Sequence, residues 1–188
     1  IDIFSAATLL ARDEYPELDL NHCNQLLERH LKAVRDQLPD NTTTQERLLL
    51  LSRYLFDDVG FRGNEASYYD PRNSYISDVL ERRLGIPLSL SILHIALAHR
   101  LDIPLEGISF PGHFLVRLEV DEGILVFDPF NRGRSINAEE LRTRVHPFVG
   151  DIQINDQLLF QMLEPASTRS MVMRMLRNLV AIYTEQND

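Results

Sequence analysis

Apolar residues recur every three or four positions through the N-terminal third of the chain, run almost unbroken from Ile86 to Ala98, then alternate with polar ones up to Asp128. These three regimes predict amphipathic helices, one helix buried on all sides, and half-buried strands. In "DIFSAATLLARDEYPEL", Phe4, Ala7, Leu10 and Ala11 share a helical stripe that stops before Pro16. Asp19 is placed to cap a second helix carrying Leu20, Cys23, Leu27, Leu31 and Val34 on one side. Thr43 and Glu46 have capping-box spacing for a third, with Gly60 as its terminator. "GFRGNEASYYDPRNS" then reads as a loop, and Asn73 or Ser74 as the cap of a short helix, Tyr75 to Arg83, ended by Gly85.

Pro87 suits a first helical turn, and Leu88, Leu90, Ile92, Leu93, Ile95, Ala96 and Leu97 surround the axis that follows. A helix apolar all round is a central one. After Pro104, "LEGISF", "HFLVRLEV" and "GILVFD" read as strands, the last two forming a hairpin. "SINAEELRTRV" predicts a short helix capped by Asn137, with Glu140 three residues on. "INDQLLFQMLEP" fits more than one element. A final helix from Thr168 sets Met171, Met175, Leu179 and Ile182 along one side as core residues. No internal repeat is visible. The order predicts an α+β fold: N-terminal helices over 1–60, a core over 61–165 with the buried helix and a small antiparallel sheet, and a C-terminal helix over 166–188, all in one unit.

The hairpin register decides which side chains meet. With Asp121 and Glu122 as a two-residue turn, Val120 pairs with Gly123, and His113 and Asp128 become diagonal neighbours on one face. A three-residue loop sends them to opposite faces. Asp-Glu is a poor type I′ pair, so turn chemistry leaves both registers open.

Composition narrows the function. The 188 residues are 44 % apolar and 25 % charged, as in ordinary globular proteins. The net charge of −9 disfavours nucleic acid or an anionic membrane as principal partner. The apolar run at Ile86 is too short and too polar to span a bilayer. No signal peptide is visible, and a single cysteine, Cys23, fits a reducing compartment, which points to the cytoplasm. His94 and His99, five apart, do not share a metal, and no metal or cofactor site is predicted.

Candidate chemistry gathers at the start of the buried helix and in the hairpin. Ser89 occupies a helix N-terminus, where free N–H groups stabilise developing negative charge. His113 follows a Pro-Gly turn and Asp128 closes the next strand, so nucleophile, base and orienting carboxylate occur in that order. Each has a structural alternative as a cap, a turn stabiliser or a turn former. The loop residues Asn64, Tyr68, Tyr69 and Asn73 are either a binding surface or a self-stabilised connector.

"FRGNEASYYDPRNSYISDVLERRLGIPLSLSILHIALAHRLDIPLEGISFPGHFLVRLEV" with "FDPFNRGR" resembles the SirB-type branch of the transglutaminase-like superfamily, as do "LLARDEYPELDL" and "MLRNLVAIY". The resemblance spans nearly the whole chain. It implies a papain-like core of bacterial origin with a Cys at the N-terminus of the central helix, a His on one strand and an Asp on the next. "PGHFLV" supplies His113 and "FDPF" supplies Asp128, but Pro87, Leu88 and Ser89 stand where the cysteine is expected. Two readings follow: a protein- or peptide-binding module without a nucleophile, and a serine-dependent amidase or acyltransferase using Ser89, His113 and Asp128.

Overall fold

The buried helix is the axis of the structure. The computed structural model describes residues 1–150 and 152–187. Three helices come first: α1 (Ile3–Glu14), α2 (Leu20–Arg35) and α3 (Thr44–Arg53). Asp2, Asp19 and Thr43 cap them, the last in a complete capping box with Glu46. α3 widens into a π turn over Tyr54–Asp58, and Gly60 turns the chain with φ +85°. The segment read as pure loop contains a two-residue strand, β1 (Arg62–Gly63), before α4 (Ile76–Arg82).

β1 runs parallel to β2 (Leu84–Gly85), which leads into α5 (Pro87–His99). The expected cap and terminator of α4 are corrected here. Tyr75 is its N-cap residue, and Arg83, at φ +60°, ends it. Gly85 has another task. A Cβ there would lie 2.7 Å from Ser89 Oγ and 2.9 Å from Leu90 Cγ, so its missing side chain lets the strand touch the start of α5.

Every residue of α5 from Pro87 to Ala98 is buried. α1–α4 pack on one side of it and β3 (Glu106–Ile108) and β4 (Leu115–Val120) on the other. β5 (Gly123–Asp128) and β6 (Arg134–Ile136) complete an antiparallel sheet in the order β3-β4-β5-β6. Val120 pairs with Gly123 and Val116 with Phe127, the two-residue-turn register. Phe114, Val116, Leu118 and Phe127 accordingly face α5, in one core with Met171 and Met175 of α8 (Thr168–Asn187).

The opposite face of the sheet is also covered, which the alternation alone did not predict. Ile108, Phe110, Leu115, Val126 and Ile136 form a second core with α6 (Ala138–Val149) and α7 (Asp156–Met162). Asn137 caps α6 as expected, but the helix continues past Val145 with Pro147 inside it. The ambiguous "INDQLLFQMLEP" becomes α7, capped by Asn155. Arg117 brings a buried charge to this layer: its guanidinium donates to the Leu163 carbonyl at 2.9 Å and pairs with Glu106 and Glu119. The architecture is α+β.

Because α5 packs against all four N-terminal helices and the inner face of the sheet, truncating it removes contacts from both. Leu93→Ala is expected to cost about 2–5 kcal/mol, and Leu49→Ala, on an exposed side chain, less than about 0.5 kcal/mol, both read from urea unfolding midpoints at pH 7.

Candidate functional site

Asp128 ends β5 and caps the 3-10 turn Pro129–Asn131, so its carboxylate points back toward the main chain it has just left. It is fully buried. Oδ1 accepts from His113 Nε2 at 2.9 Å and from the amides of Phe130 at 3.1 Å and Asn131 at 3.3 Å. Oδ2 accepts from Asn131 Nδ2 at 2.5 Å and Arg144 Nη1 at 2.8 Å. Burial by itself raises the carboxyl pKa. The hydrogen bond and charge of His113, then the bonds from Arg144 and Asn131, outweigh that and hold it well below the usual carboxylate range. Asp128 is therefore an anion in the folded protein.

His113 arrives by a different route. Its amide donates to the Phe110 carbonyl at 3.1 Å across the Pro111-Gly112 turn. Gly112 sits at φ +68° with the Phe148 ring so close that a Cβ would come within 2.1 Å of it, so a larger residue there is strained and displaces the ring. The hairpin register then carries the imidazole to Asp128. Since the carboxylate has no proton to give, Nε2 is the donor of this hydrogen bond. On the other side, Arg174 of α8 donates to the His113 carbonyl at 3.0 Å and to Ser109 Oγ at 2.8 Å.

An aromatic row leads outward from the pair. The Phe130 ring stands edge-on to His113 at 5.9 Å, Tyr68 to Phe130 at 5.9 Å, and Tyr69 to Tyr68 at 5.3 Å. Phe130 lies directly over Gly63, where a Cβ would be 2.4 Å from the ring. Two residues after Phe130, Arg132 holds φ +61°, an uncommon backbone state for a side chain with a Cβ, beside the buried carboxylate.

Ser89 does not join this network. It is 1 % exposed, and its Oγ donates to the Asn73 carbonyl at 2.6 Å while accepting from the Ile86 amide at 3.1 Å. No hydrogen bond links it to His113 among the described residues. Ser91 donates to the Pro87 carbonyl at 2.7 Å. Cys23 is buried in α2, and burial, then Glu81 and Asp19, pushes its thiol pKa up, away from a reactive thiolate.

The loop residues separate into two kinds. Asn64 donates to the Asn73 side chain at 3.0 Å, and Asn73 donates in turn to the Ser67 and Tyr68 carbonyls, so both asparagines are buried struts of the connector. Tyr68 and Tyr69 are exposed. Arg144, Asn131, Phe130 and Arg174 were not singled out from the sequence. The one signal for Arg144 was its i,i+4 spacing from Glu140 on α6, where the two pair at 2.9 Å.

His113, expected on a strand, lies in the turn before β4, where the aspartate that ends β5 holds it beside the central buried helix. Residues 21–177 match the family described as the Transglutaminase-like superfamily, and the chain belongs to it. It is 49 % identical over 187 residues to a UPF0162 protein of Xylella fastidiosa (strain 9a5c), covering 100 % of this chain and 66 % of that protein. It is 31 % identical over 182 residues to UPF0162 protein PA3419 of Pseudomonas aeruginosa, covering 97 % of this chain and 65 % of the relative. A shorter match, 38 % identical over 95 residues, covers 46 % of the chain and 15 % of mouse F-box only protein 21. The chain thus spans about two thirds of the length of these two bacterial relatives. No solved structure matches. Among the described residues, no helix is long and apolar enough to cross a membrane.

The depressed carboxyl of Asp128 fixes the sign of an acid effect. The unfolded chain takes up this proton more readily, so the stabilisation is complete above the unfolded value near 3.9 and is lost as pH falls through it toward the folded one. Asp128→Asn is expected to lower stability at pH 7 by about 3–5 kcal/mol and to flatten the decline between about pH 5 and pH 2, measured by urea titration at each pH.

Proposed function

We propose that this chain is a non-catalytic member of the SirB-type branch, a cytoplasmic protein- or peptide-binding module on a transglutaminase-like scaffold. The observation that carries the reading is the state of Ser89. A cysteine at a helix N-terminus beside a histidine ionises near neutral pH, whereas a serine hydroxyl loses its proton only during attack, to a base in contact with it. The hydroxyl hydrogen of Ser89 is spent on the Asn73 carbonyl. Releasing it would forfeit a buried hydrogen bond, about 0.5–1.5 kcal/mol before any chemistry, and leave the Asn73 carbonyl only its longer 3.3 Å bond from the Ile86 amide.

The His113–Asp128 pair is consistent with a structural role. In a working triad the carboxylate is reserved to stabilise the imidazolium. Here Arg144 occupies Oδ2 of the same carboxylate, so much of its charge is already countered by a fixed cation. The pair instead joins the turn before β4, the turn after β5 and α6. The serine-dependent amidase or acyltransferase is the second reading, favoured by the 2.9 Å bond between His113 and Asp128.

A fluorophosphonate probe distinguishes the two. Intact-mass measurement is expected to show no adduct on the wild-type chain; an adduct lost in both Ser89→Ala and His113→Ala would establish the serine enzyme instead. Ser89→Ala is also expected to lower unfolding stability by about 0.5–1.5 kcal/mol, because the Ile86 amide and the Asn73 carbonyl each lose the hydroxyl and keep only their 3.3 Å bond to each other.

A further inference from the structure

Beside the aromatic row lies an open cavity of about 730 Å³ whose rim carries Arg62, Arg132 and Arg134, with Phe130 and Asn131 in its wall. The only acidic residue lining it is Glu65, so the lining bears a net charge of +2 in a protein whose total is −9. From this concentration of guanidinium groups we infer that the cavity binds an acidic peptide segment, through side-chain carboxylates of a protein partner. The inference deepens the proposed binding role and rests on it.

Three features support that ligand chemistry. Arg62 makes no ion pair among the described residues, and its backbone is fixed by pairing with Leu84. Arg132 pairs with Asp57, both side chains more than half exposed, at 65 % and 56 %. Such pairs are worth about 0–1 kcal/mol, so an incoming carboxylate displaces Asp57 at little cost. Arg134 pairs with Glu140, which has a second cation in Arg144 and stays neutralised when Arg134 turns to a ligand. The planar fork of each arginine matches a carboxylate in bidentate geometry.

The wall supplies the other half of the recognition. Phe130 lines the cavity and makes an edge contact with His113, and its neighbour Asn131 holds Asp128. An extended acidic segment on the arginines therefore sets an apolar side chain against the Phe130–Tyr68 edge. A short peptide is favoured over nucleic acid because the arginines are gathered in one cavity of a chain whose net charge is −9, whereas a nucleic acid draws its affinity from cations spread along a length of backbone.

The probe is a fluorescein-labelled hexaglutamate peptide titrated with the full chain and followed by anisotropy in low salt, with labelled hexaglutamine, inorganic phosphate and a labelled RNA hexamer as comparisons. Hexaglutamate is expected to bind, hexaglutamine not, and Arg62→Gln or Arg134→Gln to weaken binding about tenfold each, the size of one charge-assisted contact. Arg29→Gln, on exposed α2, is expected to leave it unchanged. Equal binding of both peptides, equal loss in Arg29→Gln, or tighter binding of phosphate or RNA than of hexaglutamate overturns the inference. Hexaglutamate binding that depends on Arg62, in a chain that also takes up fluorophosphonate at Ser89, keeps the acidic-segment site and overturns only the non-catalytic reading. Absent binding with absent labelling does the reverse.

Discussion

One buried carboxylate ties the molecule together. Removing Asp128 from water costs several kcal/mol unless donors replace its hydration, and they arrive from three separate stretches of chain: the turn before β4, the turn after β5 and the middle of α6. Phe130 and Asn131 donate from the adjacent turn, but His113 is in place only when the hairpin has its register and Arg144 only when α6 has docked. Local turn geometry, sheet pairing and helix packing are thus coupled through a single side chain. The uncommon backbone of Arg132 and the close approach of Phe130 to Gly63 are held in the same corner. Strain of this kind persists only where the surroundings over-determine it.

A second knot lies at the start of α5. Asn73 gives its carbonyl to Ser89 and to the Ile86 amide, and its side chain to the loop that precedes α4. The start of the central helix, which the family resemblance marks for a nucleophile, is here a joint between a loop and that helix. The same residue type at the same place can cap or attack, and what decides is where its one hydrogen goes.

Much of this was legible in the chain. The capping residues Asp19, Thr43 and Asn137 announced their helices because a cap is a local bond three or four positions long. The all-round apolar character of α5 announced a central helix, and the alternation around His113 and Asp128 narrowed their meeting to a choice of register. The missed features share a different cause. β1, β2 and β6 are two or three residues long, too short for any period, and exist because tertiary neighbours offer partners. Arg144 reaches Asp128 from an ordinary amphipathic helix, and the acceptor of Ser89 is a main-chain oxygen sixteen positions earlier, which no residue type encodes. Gly85 looked like a helix terminator and is instead a gap for Ser89.

The burial of Cys23 carries a consequence of its own. A lone thiol sealed inside the α2 packing, with its ionisation suppressed, is shielded from oxidants and alkylating agents for as long as that helix stays seated. Its modification rate in a native solution therefore counts the moments when the N-terminal layer lifts away from the body, so the chain carries an internal gauge of its own opening at a position remote from the histidine and the arginine rim.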